Sequence, residues 1–129
     1  MTKAAIAIVD DDEAVQDSLQ AILEAHGFQT TVHASGRMFF EQLGRKSVDC
    51  VILDVNLPEM SGWEILRRLR ECDDPPPAIL VSGHGGENHG RLAKQYGAFC
   101  YVEKPLNAAT LLEHIDGALR STDRCDGKD

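Results

Sequence analysis

Ala4-Ala5-Ile6-Ala7-Ile8-Val9-Asp10-Asp11-Asp12 is an apolar run that stops on three acids. Three later runs stop on a polar residue in the same way: Cys50-Val51-Ile52-Leu53 on Asp54, Ala78-Ile79-Leu80-Val81 on Ser82, and Phe99-Cys100-Tyr101-Val102-Glu103 on Lys104. Short runs that are apolar nearly throughout are the pattern of strands covered on both faces, as in a parallel sheet. In such a sheet the residues just past the carboxyl ends of the strands gather in one crevice, the usual ligand site of open α/β folds. Acids, a lone carboxylate, a hydroxyl and an amine, far apart in sequence, are therefore predicted to share one pocket.

Helical patterns fill the gaps between the runs. Val15, Leu19, Ile22 and Leu23 fall on one helical face, and Gly27 is a natural stop. Phe28–His33 alternates weakly and reads as a second strand near an edge, and Ser35 caps a short helix carrying Met38, Phe39 and Leu43. Val48–Leu53 is the third strand. Leu57-Pro58-Glu59-Met60-Ser61-Gly62 is a loop, with Ser61 capping a helix that turns Ile65, Leu66 and Leu69 inward. Pro75-Pro76-Pro77 leads stiffly into the fourth strand, Ala78–Ser82, and Asn107 caps a last helix lined by Leu111, Leu112, Ile115 and Leu119. Five alternations of strand and helix predict βαβ units, hence an α/β protein with a doubly wound parallel sheet. Gly83, Gly85, Gly86 and Gly90 crowd the start of the fourth helix, where each helical glycine costs about 1 kcal/mol relative to alanine. Only Leu92, Ala93 and Tyr96 give that helix an apolar face, so it is expected to start late or to be mobile.

A length of 129 residues fits one domain, read here as 1–120, followed by a polar tail, 121–129, expected to be disordered. The net charge of −8 argues against direct contact with nucleic acid, which calls for clustered Lys and Arg. Cys50, Cys72, Cys100 and Cys125 show no CxxC spacing and read as reduced thiols. No signal peptide and no membrane-spanning stretch is evident, so a cytoplasmic protein is expected.

Three clustered carboxylates raise one another's pKa unless a cation joins them. Oxygen ligands suit Mg²⁺, with Mn²⁺ as an alternative. Asp54 stands alone at the end of its strand and is the candidate nucleophile, since a carboxylate attacking phosphorus gives an acyl phosphate. Phosphoryl transfer needs positioning and charge neutralisation above all. Lys104 would neutralise a phosphoryl oxygen, and the Ser82 hydroxyl would hydrogen-bond another.

These residues resemble a family. Asp10-Asp11, Asp54, Ser82 and Lys104-Pro105, with Ile8-Val9-Asp10-Asp11-Asp12, Leu53-Asp54-Val55-Asn56-Leu57-Pro58-Glu59-Met60-Ser61-Gly62 and Glu103-Lys104-Pro105, are similar to the CheY-like receiver domain of two-component response regulators. Val81-Ser82-Gly83-His84-Gly85 resembles the FixJ-like branch, and the match runs from about Ala4 to Leu119. The resemblance implies a flavodoxin-like sheet of order 2-1-3-4-5 with five helices. It implies that Asp10, Asp11, Asp54 and the main-chain carbonyl of Asn56 hold Mg²⁺, that Asp54 is phosphorylated, and that Lys104, before a cis bond to Pro105, pairs with the phosphoryl group. Ser82 and Tyr101 would form the switch pair, and the face of fourth helix, fifth strand and fifth helix would be read by a downstream protein. Asn56 and His84 would tune dephosphorylation. The phosphoryl donor would be a sensor histidine kinase or a histidine phosphotransfer protein, and phosphorylation-dependent dimerisation is left open.

Such a domain is a signalling module and not an enzyme acting on others. Two alternatives stand beside it. One is a docking module that works without phosphorylation. The other is a Mg²⁺-dependent phosphatase with an aspartyl-phosphate, for which Asn56 occupies the position where a second acid is needed. Asp12 and Glu13 are assigned to a solvated helix start favoured by the dipole, and Trp63 to packing.

Overall fold

The computed structural model describes residues 4–83 and 87–128. Among them strands and helices alternate: β1 (Ala5–Val9), α1 (Glu13–Ala25), β2 (Gln29–His33), α2 (Gly36–Leu43), β3 (Cys50–Asp54), α3 (Gly62–Arg70), β4 (Ala78–Ser82), α4 (Glu87–Gln95), β5 (Cys100–Glu103) and α5 (Ala108–Lys128). Each neighbouring pair of strands is parallel, and the order is β2-β1-β3-β4-β5. The doubly wound α/β sheet predicted from the apolar runs is therefore present, in the order 2-1-3-4-5 that the resemblance implied.

Side chains alternate across a strand, and this divides the core into two layers. Ile6 and Ile8 meet Leu19 and Leu23 of α1 and Leu111 and Ile115 of α5 on one side of the sheet. Ala7 and Val9 meet Phe39 of α2 and Ile65, Leu66 and Leu69 of α3 on the other. Every residue of β3 and β4 is buried, which is why those runs show no polar alternation. Burial of each large aliphatic side chain contributes ~1.5–3 kcal/mol. β2, half-buried along most of its length, lies at the edge.

The helix starts follow local chemistry. Asp12 caps α1 through Ala14 N and Val15 N, Ser35 caps α2 through Met38 N, Ser61 caps α3 through Glu64 N, and Asn107 Oδ1 accepts from Thr110 N. Gly27, at φ +88°, takes the left-handed conformation that ends α1 cheaply.

Some boundaries differ from the sequence reading. The third strand starts at Cys50, because Val48 only packs against the core from outside the sheet. α5 runs to Lys128, so the described helix extends over 121–128 of the segment read from the sequence as a tail. Once a helix is nucleated on buried residues such as Leu111 and Ile115, each further residue adds a hydrogen bond, and no proline interrupts this stretch. Gly90 lies within α4, while Gly85 and Gly86 fall outside the described residues. No helix among the described residues is long and apolar enough to cross a membrane.

Candidate functional site

The pocket forms where the carboxyl ends of the three central strands and β5 converge. β1 delivers Asp10 and Asp11, β3 ends on Asp54, β4 ends on Ser82, and β5 is followed by Lys104. Backbone bonds pin these ends: Asp10 N donates to His33 O of β2 at 3.0 Å, and Lys104 N donates to Ser82 O at 2.9 Å. Asp10 Oδ1 accepts from Asp12 N at 2.9 Å, which turns the chain from β1 into the cap of α1. The Gln16 side-chain amide, one turn along α1, donates to the Asp10 carbonyl. The Lys104–Pro105 bond is cis, as the resemblance implied.

Asp10, Asp11 and Asp54 each offer a carboxylate oxygen, and these oxygens all lie within 4.8 Å of one another. Asp10 and Asp54 are buried, while Asp11 is exposed at the rim. Lys104 Nζ stands 3.4 Å from Asp10 Oδ2 and 3.7 Å from Asp54 Oδ2, nearer the first acid than the second. Three carboxylates against one ammonium leave a formal charge of −2 (−3 + 1) in the pocket. Asp54 carries the cost. Burial pushes its carboxyl above the ordinary range, and the Asp10 carboxylate adds to the push. Lys104 and the Asn56 N–H, which donates to Asp54 Oδ1 at 3.3 Å, pull the other way, and Asp11 adds a smaller upward push. A cluster of hard oxygen donors with excess negative charge suits a divalent cation of the Mg²⁺ type, which keeps several waters and takes one or two carboxylates.

Ser82 is fully buried at the end of β4. Tyr101 pairs with Leu80 in the sheet, two residues before Ser82, so both side chains leave the sheet on the α3–α4 side. The Tyr101 ring packs against the core there, and its hydroxyl is buried with no hydrogen-bond partner among the described residues. Asn56 is exposed at the pocket edge, and His84 lies outside the described residues.

Two contributors escaped the sequence reading. Gln16 is one. The other is Gly62, where an added Cβ would sit 2.5 Å from Asp54 O and 2.8 Å from Val55 Cα. Gly62 N also donates to Val55 O at 2.8 Å, so α3 starts directly against the backbone that presents Asp54. The available signal was a glycine in the first turn of a helix, a poor choice there unless something must come close.

Comparison with known proteins fits this geometry. The family model described as response regulator receiver domain matches residues 6–116. The chain is 34% identical over 122 residues to the transcriptional regulatory protein FixJ of Bradyrhizobium diazoefficiens, covering 95% of this chain and 60% of that protein. It is 36% identical over 115 residues to the response regulator protein TodT of Pseudomonas putida, covering 89% of this chain and 51% of that one. The chain thus spans roughly half to three-fifths of the length of these relatives. A CheY-like receiver domain protein from Methanospirillum hungatei superposes with a TM-score of 0.88 at 28% identity, covering 95% of this chain and 98% of the other. Full-length FixJ from B. japonicum superposes with a TM-score of 0.89 at 32% identity, covering 98% of this chain and 63% of the other.

Proposed function

Because this chain belongs to the response regulator receiver domain family of two-component systems, we propose that it accepts a phosphoryl group on Asp54 and thereby switches a protein-binding face. The observation that carries this reading is the meeting of Asp10, Asp11 and Asp54 oxygens within 4.8 Å of one another, with Lys104 beside them.

Asp10, Asp11, Asp54 and the Asn56 carbonyl would hold Mg²⁺, with Mn²⁺ as a substitute. Bound there, the cation supplies charge neutralisation to the phosphoryl oxygens. The chain's own groups do the rest. An Asp54 carboxylate oxygen attacks phosphorus of a phosphohistidine, the new O–P bond forms as the P–N bond breaks, and the imidazole leaves to take up a proton. Lys104, poised between Asp10 and Asp54, moves its positive charge onto a phosphoryl oxygen. The Ser82 hydroxyl donates to another, and Tyr101 on the same side of the sheet follows it. The face of α4, β5 and α5 then carries the signal to a downstream protein. Asn56, at the pocket rim, and His84 set how readily water reaches the phosphoaspartate. The donor is a sensor histidine kinase or histidine phosphotransfer protein.

Intact mass after incubation with Mg²⁺ and acetyl phosphate or phosphoramidate tests the reading. One phosphoryl group is expected on the native chain. None is expected without Mg²⁺ or on Asp54→Ala. Equal gain on Asp54→Ala overturns the assignment.

A further inference from the structure

Beside the buried Ala93, aromatic rings tie α4 to α3 and β5. The ring-bearing side of α4 is set by His89 and, just past its end, Tyr96, seven residues apart and therefore two turns along the same face. Trp63, in the first turn of α3, sits between them: its ring centroid lies 5.4 Å from that of His89, edge-on at 85°, and 5.2 Å from that of Tyr96. On its other side His89 meets Tyr101 of β5, edge-on at 81° with centroids 5.8 Å apart. One imidazole thus bridges α3, α4 and β5.

The polar atoms of this bridge are unusual. His89 Nδ1 and Tyr101 Oη are both buried, and neither has a hydrogen-bond partner among the described residues. Buried polar groups normally find partners, and one that does not forgoes a bond it would have in water. Among the described residues, the inward position of the Tyr101 ring is therefore held by ring packing.

We propose that His89 is a positioning residue for Tyr101: braced on Trp63, its ring seats the tyrosine inward, and α4 carries that seat. The inference rests on the reading of Tyr101 as the switch ring and deepens it. The seat consists of ring contacts from α3 and α4, so a displacement of α4 that parts His89 from Tyr101 opens it. Movement of Tyr101 and movement of α4 become one event, with Trp63 as the fixed jaw.

Tyrosine acetylation by N-acetylimidazole, read by peptide mass, tests this on the full chain, which holds two tyrosines, Tyr96 and Tyr101. In the native protein Tyr101 is expected to react slowly. His89→Gln removes the ring yet suits a helix, and is expected to raise the Tyr101 rate several-fold. His89→Phe keeps the ring and is expected to restore the slow rate. Equal Tyr101 rates in the native and Gln forms overturn the proposal, as does a Phe form that reacts as fast as the Gln form. Phosphoryl uptake by intact mass is measured on the same samples. A native chain that takes up no phosphoryl group refutes the acceptor reading alone, because the acetylation contrast is read in the unphosphorylated protein.

Discussion

Asp54 shows how a single carboxylate is made useful by being made uncomfortable. Burial and the neighbouring Asp10 hold its proton more tightly in the folded chain than its ordinary value of 3.8 allows. Stability from this group is present below that value and is lost as pH rises through the raised folded value, where the unfolded chain has already ionised. Asp54→Asn removes the loss. Without divalent cations the variant is expected to melt a few degrees higher than the native chain at neutral pH, and to converge with it under acid, as followed by circular dichroism. Asp12, two residues from the pocket acid Asp10, behaves differently. It caps α1, so Asp12→Ala is expected to cost about 1 kcal/mol in urea unfolding while leaving Mg²⁺ affinity by calorimetry nearly unchanged. The residues that meet in the pocket were legible because each ends an apolar run. The His89 bridge was not legible, since a lone histidine in a mostly polar helix gives no periodic signal.

At the scale of elements, the junction of β3 and α3 fixes the site's shape. A Cβ on Gly62 would strike Asp54 and Val55 backbone, which cannot move aside without moving the pocket. Gly62→Ala is expected to cost about 1–3 kcal/mol by denaturant unfolding and to slow phosphoryl uptake. Gly36 offers the control. A Cβ there meets the Ile65 side chain at 2.8 Å and Met60 Sδ at 3.0 Å, groups that can turn away. Gly36→Ala is therefore expected to cost less than Gly62→Ala and to spare the rate. Element types were readable from the period of their apolar residues, and starts from their caps at Ser35, Ser61 and Asn107. Boundaries set by three-dimensional contact were not. Val48 looks like strand in sequence but packs from outside the sheet, and α5 runs to Lys128, past Leu119, the last residue of the apolar face read from the sequence.

Across the whole molecule, the sheet is the wall between two cores, and each face has its own keystone. Leu23→Ala on the α1 side and Leu66→Ala on the α3 side are both expected to cost about 2–5 kcal/mol, both residues being buried. Saturating Mg²⁺ is expected to offset part of either loss, by about 2.7 kcal/mol at a hundredfold excess over its Kd, read as a rise in Tm that Asp54→Asn should largely abolish. The order of the sheet also decides when the pocket can exist. Lys104 and Asp10 touch across 94 positions of chain, and parallel strands cannot be joined by local hairpins. During synthesis, then, a ribosome-bound chain that has released β1 through β4 presents acids without their counterion. The charge of the pocket is balanced only once β5 takes its place beside β4 and brings Lys104 to Asp10 and Asp54, so the site is completed by the strand that joins the sheet furthest along the chain.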